Sequence, residues 1–419
     1  MENKKKKARW YGPKQIGIMI FTAVCFLVAA SVVGGNNNTV FPAIAEARGW
    51  NVNILNVFSG IAAMLEGVGV LVFSRIIKKV GPRIMIGAAL IVTAVLMVIF
   101  GSTTNITIFI IVVLLAGFLC AIYDKAGNMI LTANWWPTKK GVVLGFTTIG
   151  VCCMNLVYVP LMPKLFASIG ISRAFLVVAA ILAVLGVICF IFVRSMPEEA
   201  GEFPDGDPNY ATGEGAEIAR MMKEYKSPFT VGKLLKMKDV WFLGISAFLA
   251  YMAALSFIAS TIPNLIGMGY SPAFGTAIFA VGGIVSFPGS ALFGVIDQKI
   301  GTKKAWIIFL CCMIVGYLCT LGMAKVAFLA WAAGVIIFMS NAALCNLVPS
   351  YIATKFGRWD YAAASQVINT LFTLGAGTGI MITGLFHNPT VMYIFDIVVL
   401  AIALVLSIFT NDAMIGKKD

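Results

Sequence analysis

Twelve long apolar stretches divide this chain, at about 16–42, 53–77, 84–102, 106–134, 141–165, 172–193, 240–266, 274–297, 305–322, 326–352, 360–386 and 389–410. Each is long enough to cross about 30 Å of hydrocarbon as a helix. In lipid only helices and closed barrels satisfy every backbone N–H and C=O, and stretches of this length are helical. Composition agrees. Hydrophobic residues make up 60% of the 419 and charged residues 12%, against roughly 25% charged in a soluble domain. The expected fold is therefore an all-α membrane protein of twelve transmembrane helices in two six-helix bundles. The expected organisation is a basic tail (1–15), a first bundle (16–194), a linker (195–239), a second bundle (240–410) and a short tail (411–419).

A formal charge of +13 would suit a nucleic-acid partner if it were gathered in one patch, but it is not. Of the 31 Lys and Arg, 26 fall in the two tails and in every second loop. Arg48, Lys164, Arg173 and Lys325 stand outside that set, and Lys125 is alone within a span. This alternation is the positive-inside pattern. It excludes a nucleic-acid role and predicts cytoplasmic termini in a cell (inner or plasma) membrane protein. All nine cysteines lie in apolar spans and the one histidine, His387, in a loop, so no metal or other cofactor is expected. The run after Lys4-Lys5-Lys6-Lys7 extends from Ile16 past Val33, too long for a typical signal core, and reads as a retained first helix. In the linker, Ala216–Tyr225 and Val231–Met237 read as short amphipathic helices.

The halves repeat one another. Lys79-Val80-Gly81-Pro82-Arg83 follows the second span, and Lys299-Ile300-Gly301-Thr302-Lys303 follows the eighth. Pro137-Thr138-Lys139-Lys140-Gly141 after the fourth span has its partner after the tenth, in Ala353-Thr354-Lys355-Phe356-Gly357. The step from Gly81 to Gly301 is nearly the step from Gly141 to Gly357, so both matches share one register. Parallel repeats of this kind place a site between the halves at mid-membrane.

Polar residues inside the spans mark where such a site lies. The stretch Ile106–Gly141 carries Tyr123-Asp124-Lys125 and ends in Asn134-Trp135-Trp136-Pro137, which reads as a membrane–water interface. Lys125 precedes Trp136 by 11 residues, about 16 Å along a helix and near half the hydrocarbon depth. Glu66 precedes the end of its span, near Ile77, by the same count. The two thus share a depth, as a proton-coupling pair or as an ion pair that only fastens helices. Asp124 and Lys125 are about 100° apart on a regular helix, so at most one should face a cavity. Asn128 shares a face with Lys125. Gly34-Gly35-Asn36-Asn37-Asn38-Thr39 reads as a bent segment offering amides, or as a plain exit loop. Tyr251, Asn341, Gln366 and Asn369 supply hydrogen-bonding groups from the second half, although such groups also serve as interhelical glue. Asp396 in the last span reads as a structural acid. The run Gly375-Ala376-Gly377-Thr378-Gly379 follows no strand and reads as helix packing, not as a nucleotide loop. There is no Walker A pattern and no Ser/His arrangement that would support an enzyme.

Gly81-Pro82-Arg83 and Thr132-Ala133-Asn134-Trp135-Trp136-Pro137-Thr138-Lys139-Lys140-Gly141 resemble motifs of the major facilitator superfamily. Within it, the second is similar to the Asn-x-Trp-Phe-Pro-x-x-Arg-Gly segment of the oxalate/formate antiporter family of monocarboxylate and dicarboxylate carriers. The resemblance implies a secondary carrier working by alternating access, with the first, fourth, seventh and tenth spans lining the cavity. Two departures stand out. The superfamily's loop aspartate is replaced by Lys78-Lys79 in the first loop, and Asp297 is shifted in the second. The cations by which oxalate carriers hold two carboxylates align here with Ser290 and with Ile368 or Asn369, which argues against oxalate.

The expected cargo is a small monocarboxylate-like anion, moved by proton coupling or by exchange. Lys125, Asn128, Asn37, Tyr251, Asn341, Gln366 and Asn369 would bind it. Glu66 and Asp124 would couple protons, and Gly81, Arg83, Asp297, Gly301 and Lys303 would form the gating loops. The other expected partner is the bilayer, around a monomer. The rival expectation is a proton-driven exporter of neutral or cationic amphiphiles, whose charge Glu66 and Asp124 would bind.

Overall fold

The computed structural model describes residues 12–137, 149–208 and 227–410, with positions 139, 143, 146, 147, 221, 225 and 413–415. Most of the helix expected over 216–225, most of both tails and the motif positions Thr138, Lys140 and Gly141 lie outside the described residues.

Among the described residues, twelve helices are long and apolar enough to span a bilayer. In chain order α1 is bipartite, Pro13–Val33 and then Asn36–Arg48 after the Gly34-Gly35 turn. There follow α2 (Val52–Ile77), α3 (Pro82–Ser102), α4 (Ile106–Trp135), α5 (Ile149–Ile169) and α6 (Ile171–Phe192). The second set is α7 (Lys238–Gly267), α8 (Pro272–Ile300), α9 (Thr302–Thr320), α10 (Ala327–Gly357), α11 (Ala363–Leu385) and α12 (Pro389–Phe409). Gly357, at φ 67°, separates α10 from α11. An even number of crossings brings both chain ends to one side, here termed the terminal end, and the other is the far end. The exit loop considered for Asn36–Thr39 is helix instead, and it carries α1 two turns beyond its expected limit.

Four of the six helices that start at the far end are capped by side chains. Asn51, Asn105, Ser271 and Asn388 accept from backbone N–H groups at the starts of α2, α4, α8 and α12. Such caps contribute typically about 1 kcal/mol each. In the linker, Val231–Leu234 is a single short helix, and two tight turns, Pro197–Ala200 and Pro204–Gly206, follow α6.

Two apolar cores form, one within residues 18–193 and one within 229–403, the second also taking Met154 and Val159 of α5. Lipid supplies no hydrophobic drive between helices, so close packing must hold the halves together. Between them α2 lies along α11, the outer part of α1 along α7, and α5 along α8. The α2–α11 contact is backbone on backbone. A Cβ at Gly60 would stand 2.5 Å from the Gly377 carbonyl oxygen, and one at Gly377 would stand 2.6 Å from that of Gly60. Gly377→Leu is expected to force these helices apart at a cost of about 1–3 kcal/mol. A lowered thermal midpoint of the detergent-purified protein would show it; an unchanged midpoint would contradict this packing.

The turns after α2 and α8 match in conformation, with Gly81 at φ 96° and Gly301 at φ 89°. Arg83 donates to the Phe190 carbonyl at the end of α6, and Lys303 donates to that of Ile408 at the end of α12, 3.1 Å away. Asp297 accepts a 2.5 Å hydrogen bond from Ser350 of α10. These expected gating residues therefore bond within their own halves, tying neighbouring helix ends together, and their hydrogen bonds do not cross between halves.

Trp135 and Trp136, at the terminal end of α4, are both fully buried in protein. Trp135 Nε1 donates to the Arg194 carbonyl at 2.9 Å, and Asn134 Nδ2 to that of Ser195 at 3.0 Å. A buried indole needs an acceptor for its N–H, and the chain leaving α6 provides it. The motif joins α4 to the start of the linker.

Candidate functional site

α2 and α4 meet at a crossing that only small residues allow. A Cβ at Gly69 would lie 2.7 Å from the Phe118 carbonyl oxygen, and one at Gly117 would lie 2.6 Å from that of Ala62. This closeness brings Glu66 across to α4. There the helix widens into a π-turn over Ile122–Ala126, between α-helical stretches ending at Ala121 and starting at Gly127. π-turns inside α-helices are rare and often accompany functional sites.

Glu66 Oε1 stands 2.8 Å from Lys125 Nζ, and Asp124 Oδ2 stands 3.8 Å from the same nitrogen. Asp124 is also within hydrogen-bonding reach of Glu66. One cation is thus clasped by two carboxylates. Asp124 and Lys125, expected not to face each other, nonetheless meet, because the flexible Lys125 side chain reaches back to 3.8 Å from its neighbour's carboxylate; a π-turn alters the angle between consecutive residues only slightly. The Lys125 side chain is 32% exposed, against 8% for Glu66 and 13% for Asp124. The Lys125 side chain is the most open member of the triad.

From the second half, Tyr251 of α7 and Cys345 of α10 lie within electrostatic range of Lys125. Tyr251 stacks on Phe372 of α11 with ring centroids 4.1 Å apart and planes 9° apart, which fixes the phenol. Cys345 is exposed and was not singled out from the sequence, where a thiol in an apolar helix reads as a small hydrophobe. Its spacing one helical turn after Asn341 was the available signal. Asn341 is half-buried, and its Oδ1 has no hydrogen-bond partner among the described residues. Gln366 is exposed and Asn369 half-buried on α11. Asn346, exposed on α10, reaches Ser290 Oγ at 2.5 Å.

Other sequence candidates are committed elsewhere. Asn128 is fully buried and donates to the Thr22 carbonyl of α1 at 3.4 Å. Asn37, also fully buried, donates to Asn56 Oδ1 at 3.0 Å and accepts from Ser59 at 3.1 Å. A buried carboxamide must find partners: Asn37 finds both of its own in α2, whereas the Oδ1 of Asn128 has none among the described residues. Asp396 is buried against Ser256 (2.8 Å) and Tyr317 (3.2 Å), outside the triad.

The arrangement can bind charge and exchange protons in a bundle interior, on surfaces from both halves. The Major Facilitator Superfamily family model matches residues 19–380, and the chain belongs to that superfamily. It is 24% identical over 320 residues to the oxalate:formate antiporter of Oxalobacter formigenes, covering 73% of this chain and 70% of that protein. To a phosphoglycerate transporter protein of Salmonella typhimurium it is 20% identical over 363 residues, 81% of this chain and 78% of that one. Among solved structures, a bacterial homolog of the human lysosomal transporter Spinster, in an inward-facing and occupied conformation, superimposes with a TM-score of 0.69. That match has 14% identity and covers 96% of this chain and 97% of the other. The protein is a multi-pass membrane transporter and not an enzyme.

Proposed function

We propose that this chain is a secondary carrier that moves a small monocarboxylate-like anion together with a proton, its two halves alternating about the Glu66–Asp124–Lys125 triad. The observation that carries the reading is Lys125 Nζ held 2.8 Å from Glu66 and 3.8 Å from Asp124 while remaining the most exposed of the three. With both acids ionised the triad carries one net negative charge and repels an arriving carboxylate. A proton on either acid makes the triad neutral and leaves the ammonium, which has three donors, free to hold the anion. Anion and proton therefore enter together. Tyr251 extends the hydrogen-bonding surface from the second half. In the same reading the terminal end is cytoplasmic, from the distribution of basic residues, and the membrane is the cell's inner or plasma membrane. The curated relatives are named for oxalate, formate and phosphoglycerate, anions in each case.

The test is uptake into proteoliposomes of a panel of monocarboxylates, with and without an inside-alkaline pH gradient. The expected result is uphill accumulation of at least one monocarboxylate only when the gradient is present. The triad's net negative charge beside the Tyr251–Phe372 stack also suits a cationic amphiphile. Proton-driven movement of such compounds, with no carboxylate flux, would favour that second reading and overturn the first.

A further inference from the structure

The far end is shut by more than packed glycines, and one side chain there has a geometry unlike its neighbours. Asn36, Asn37 and Asn38 follow the Gly34-Gly35 turn of α1 and point to three different helices. Asn36 Oδ1 accepts from Tyr158 of α5 at 2.7 Å, and Asn37 bonds Asn56 and Ser59 of α2. Of the three, Asn38 is the one that reaches the other half. Its Nδ2 donates to the Ile258 carbonyl of α7 at 2.7 Å, and its Oδ1 accepts from the Ile262 N–H at 3.2 Å.

Residues 258 and 262 are the acceptor and donor of one i→i+4 pair in α7, so a single carboxamide serves both ends of a helical backbone bond. Directly beside it Ala63 of α2, Ala259 of α7 and Ile380 of α11 form a small buried apolar cluster, with Val33 and Leu255 packed against it. Both halves contribute to this plug. Pro263, the next residue of α7 after Ile262, has no N–H with which to stiffen the turn.

We propose that Asn38 is the latch of the far-end gate, working by exchange of hydrogen bonds with α7. While the gate is shut, the Asn38 amide bridges Ile258 and Ile262. When the halves part there, those two backbone groups pair with each other and the carboxamide turns to water in the opened mouth. No backbone group is stranded in either state, so the latch can open and close repeatedly without the penalty of an unmet buried donor or acceptor. Of the proposed function this takes only the alternation of the halves, not the cargo.

The experiment uses the full-length protein with Ala259→Cys as a reporter in the plug, alkylated by a membrane-impermeant maleimide applied from the far end. Modification of that cysteine is followed by peptide mass, which separates it from the native thiols. Two hydrogen bonds lost from the shut state, offset by the one that the backbone regains, correspond to roughly fivefold or more in population. Asn38→Ala is therefore expected to raise the alkylation rate at least fivefold.

Asn38→Asp supplies the specific readout. A protonated carboxyl has the donor and acceptor of the amide, whereas a carboxylate only accepts and faces the Ile258 carbonyl unfavourably. That variant should be open to reagent at pH 8 and protected again as pH falls toward 5, while the Asn38→Ala rate changes only with the reagent's own pH dependence. Of the groups near this gate, Asn56, Ser59 and Ser260 do not titrate and Tyr158 is a phenol, neutral over that range; His387 lines the same cavity as Ala259, and because Asn38→Ala keeps it, the difference between the two variants isolates the introduced carboxyl. Unchanged reactivity in Asn38→Ala overturns the latch. Acceleration in both variants with no acid protection of Asn38→Asp overturns the hydrogen-bond exchange. Because the reporter needs no substrate, a failure of the carboxylate panel leaves this result readable.

Discussion

Lys125→Ala is expected to lower carboxylate uptake by on the order of 100-fold or more, measured as initial rates in proteoliposomes at matched protein incorporation. Removing one partner from a desolvated charge contact costs about 2–5 kcal/mol, and about 1.4 kcal/mol is a factor of ten. The loss should appear for every carboxylate in the panel, because the ammonium meets the feature they share. Lys125→Arg is the informative companion. A planar guanidinium cannot occupy the same point between two carboxylates, so only partial recovery is expected. If Lys125→Ala left transport of every carboxylate unchanged, the cation would serve only to fasten α2 to α4.

Glu66→Gln is expected to have the second large effect, on coupling more than on binding. The substitution keeps the side chain's size and removes its charge, leaving Lys125 with Asp124 alone, as a proton on Glu66 would. Accumulation driven by an inside-alkaline gradient should fall to the equilibrium level, while exchange between preloaded and external anion persists to within about tenfold. In the parent protein, apparent affinity should weaken with rising pH by up to about tenfold per unit, because a site that takes up a proton on binding loses it as protons become scarce. Glu66→Gln should flatten that dependence. Normal uphill uptake by Glu66→Gln would remove this residue from the coupling role.

Much of this architecture is legible in the residues themselves. Twelve long apolar runs leave few alternatives to a helical bundle. The recurrence of one loop at Gly81 and Gly301, and of another at Gly141 and Gly357, reveals the duplication. The repeat extends to contacts, since Arg83 and Lys303 fasten corresponding helix ends in the two halves. The depth of Glu66 and Lys125 follows from counting residues to the ends of their spans, and the structure joins them at 2.8 Å.

What could not be read is local. No pattern in Ile122–Ala126 announces a π-turn, and residue spacing alone does not show that the Lys125 side chain reaches back to Asp124. A buried asparagine bonds a neighbouring helix as readily as a ligand, so Asn37 and Asn128 carry no mark of which they do. Trp135 and Trp136 match an interface by residue type, and nothing in that pattern says that they are buried in protein or that the Arg194 carbonyl, just past α6, takes the Trp135 N–H. Asn38 differs from Asn36 and Asn37 only in the helix it meets, a matter of how two halves far apart in the chain come together.

The central claim is that anion and proton occupy the triad together because Lys125 is otherwise claimed by two carboxylates. Its most direct test is proton uptake on adding a transported monocarboxylate to purified, weakly buffered protein in detergent, followed with a pH electrode near neutral pH. The account predicts uptake approaching one proton per anion bound in the parent and a markedly smaller uptake in Glu66→Gln. Saturable anion binding with no proton taken up by the parent would contradict it.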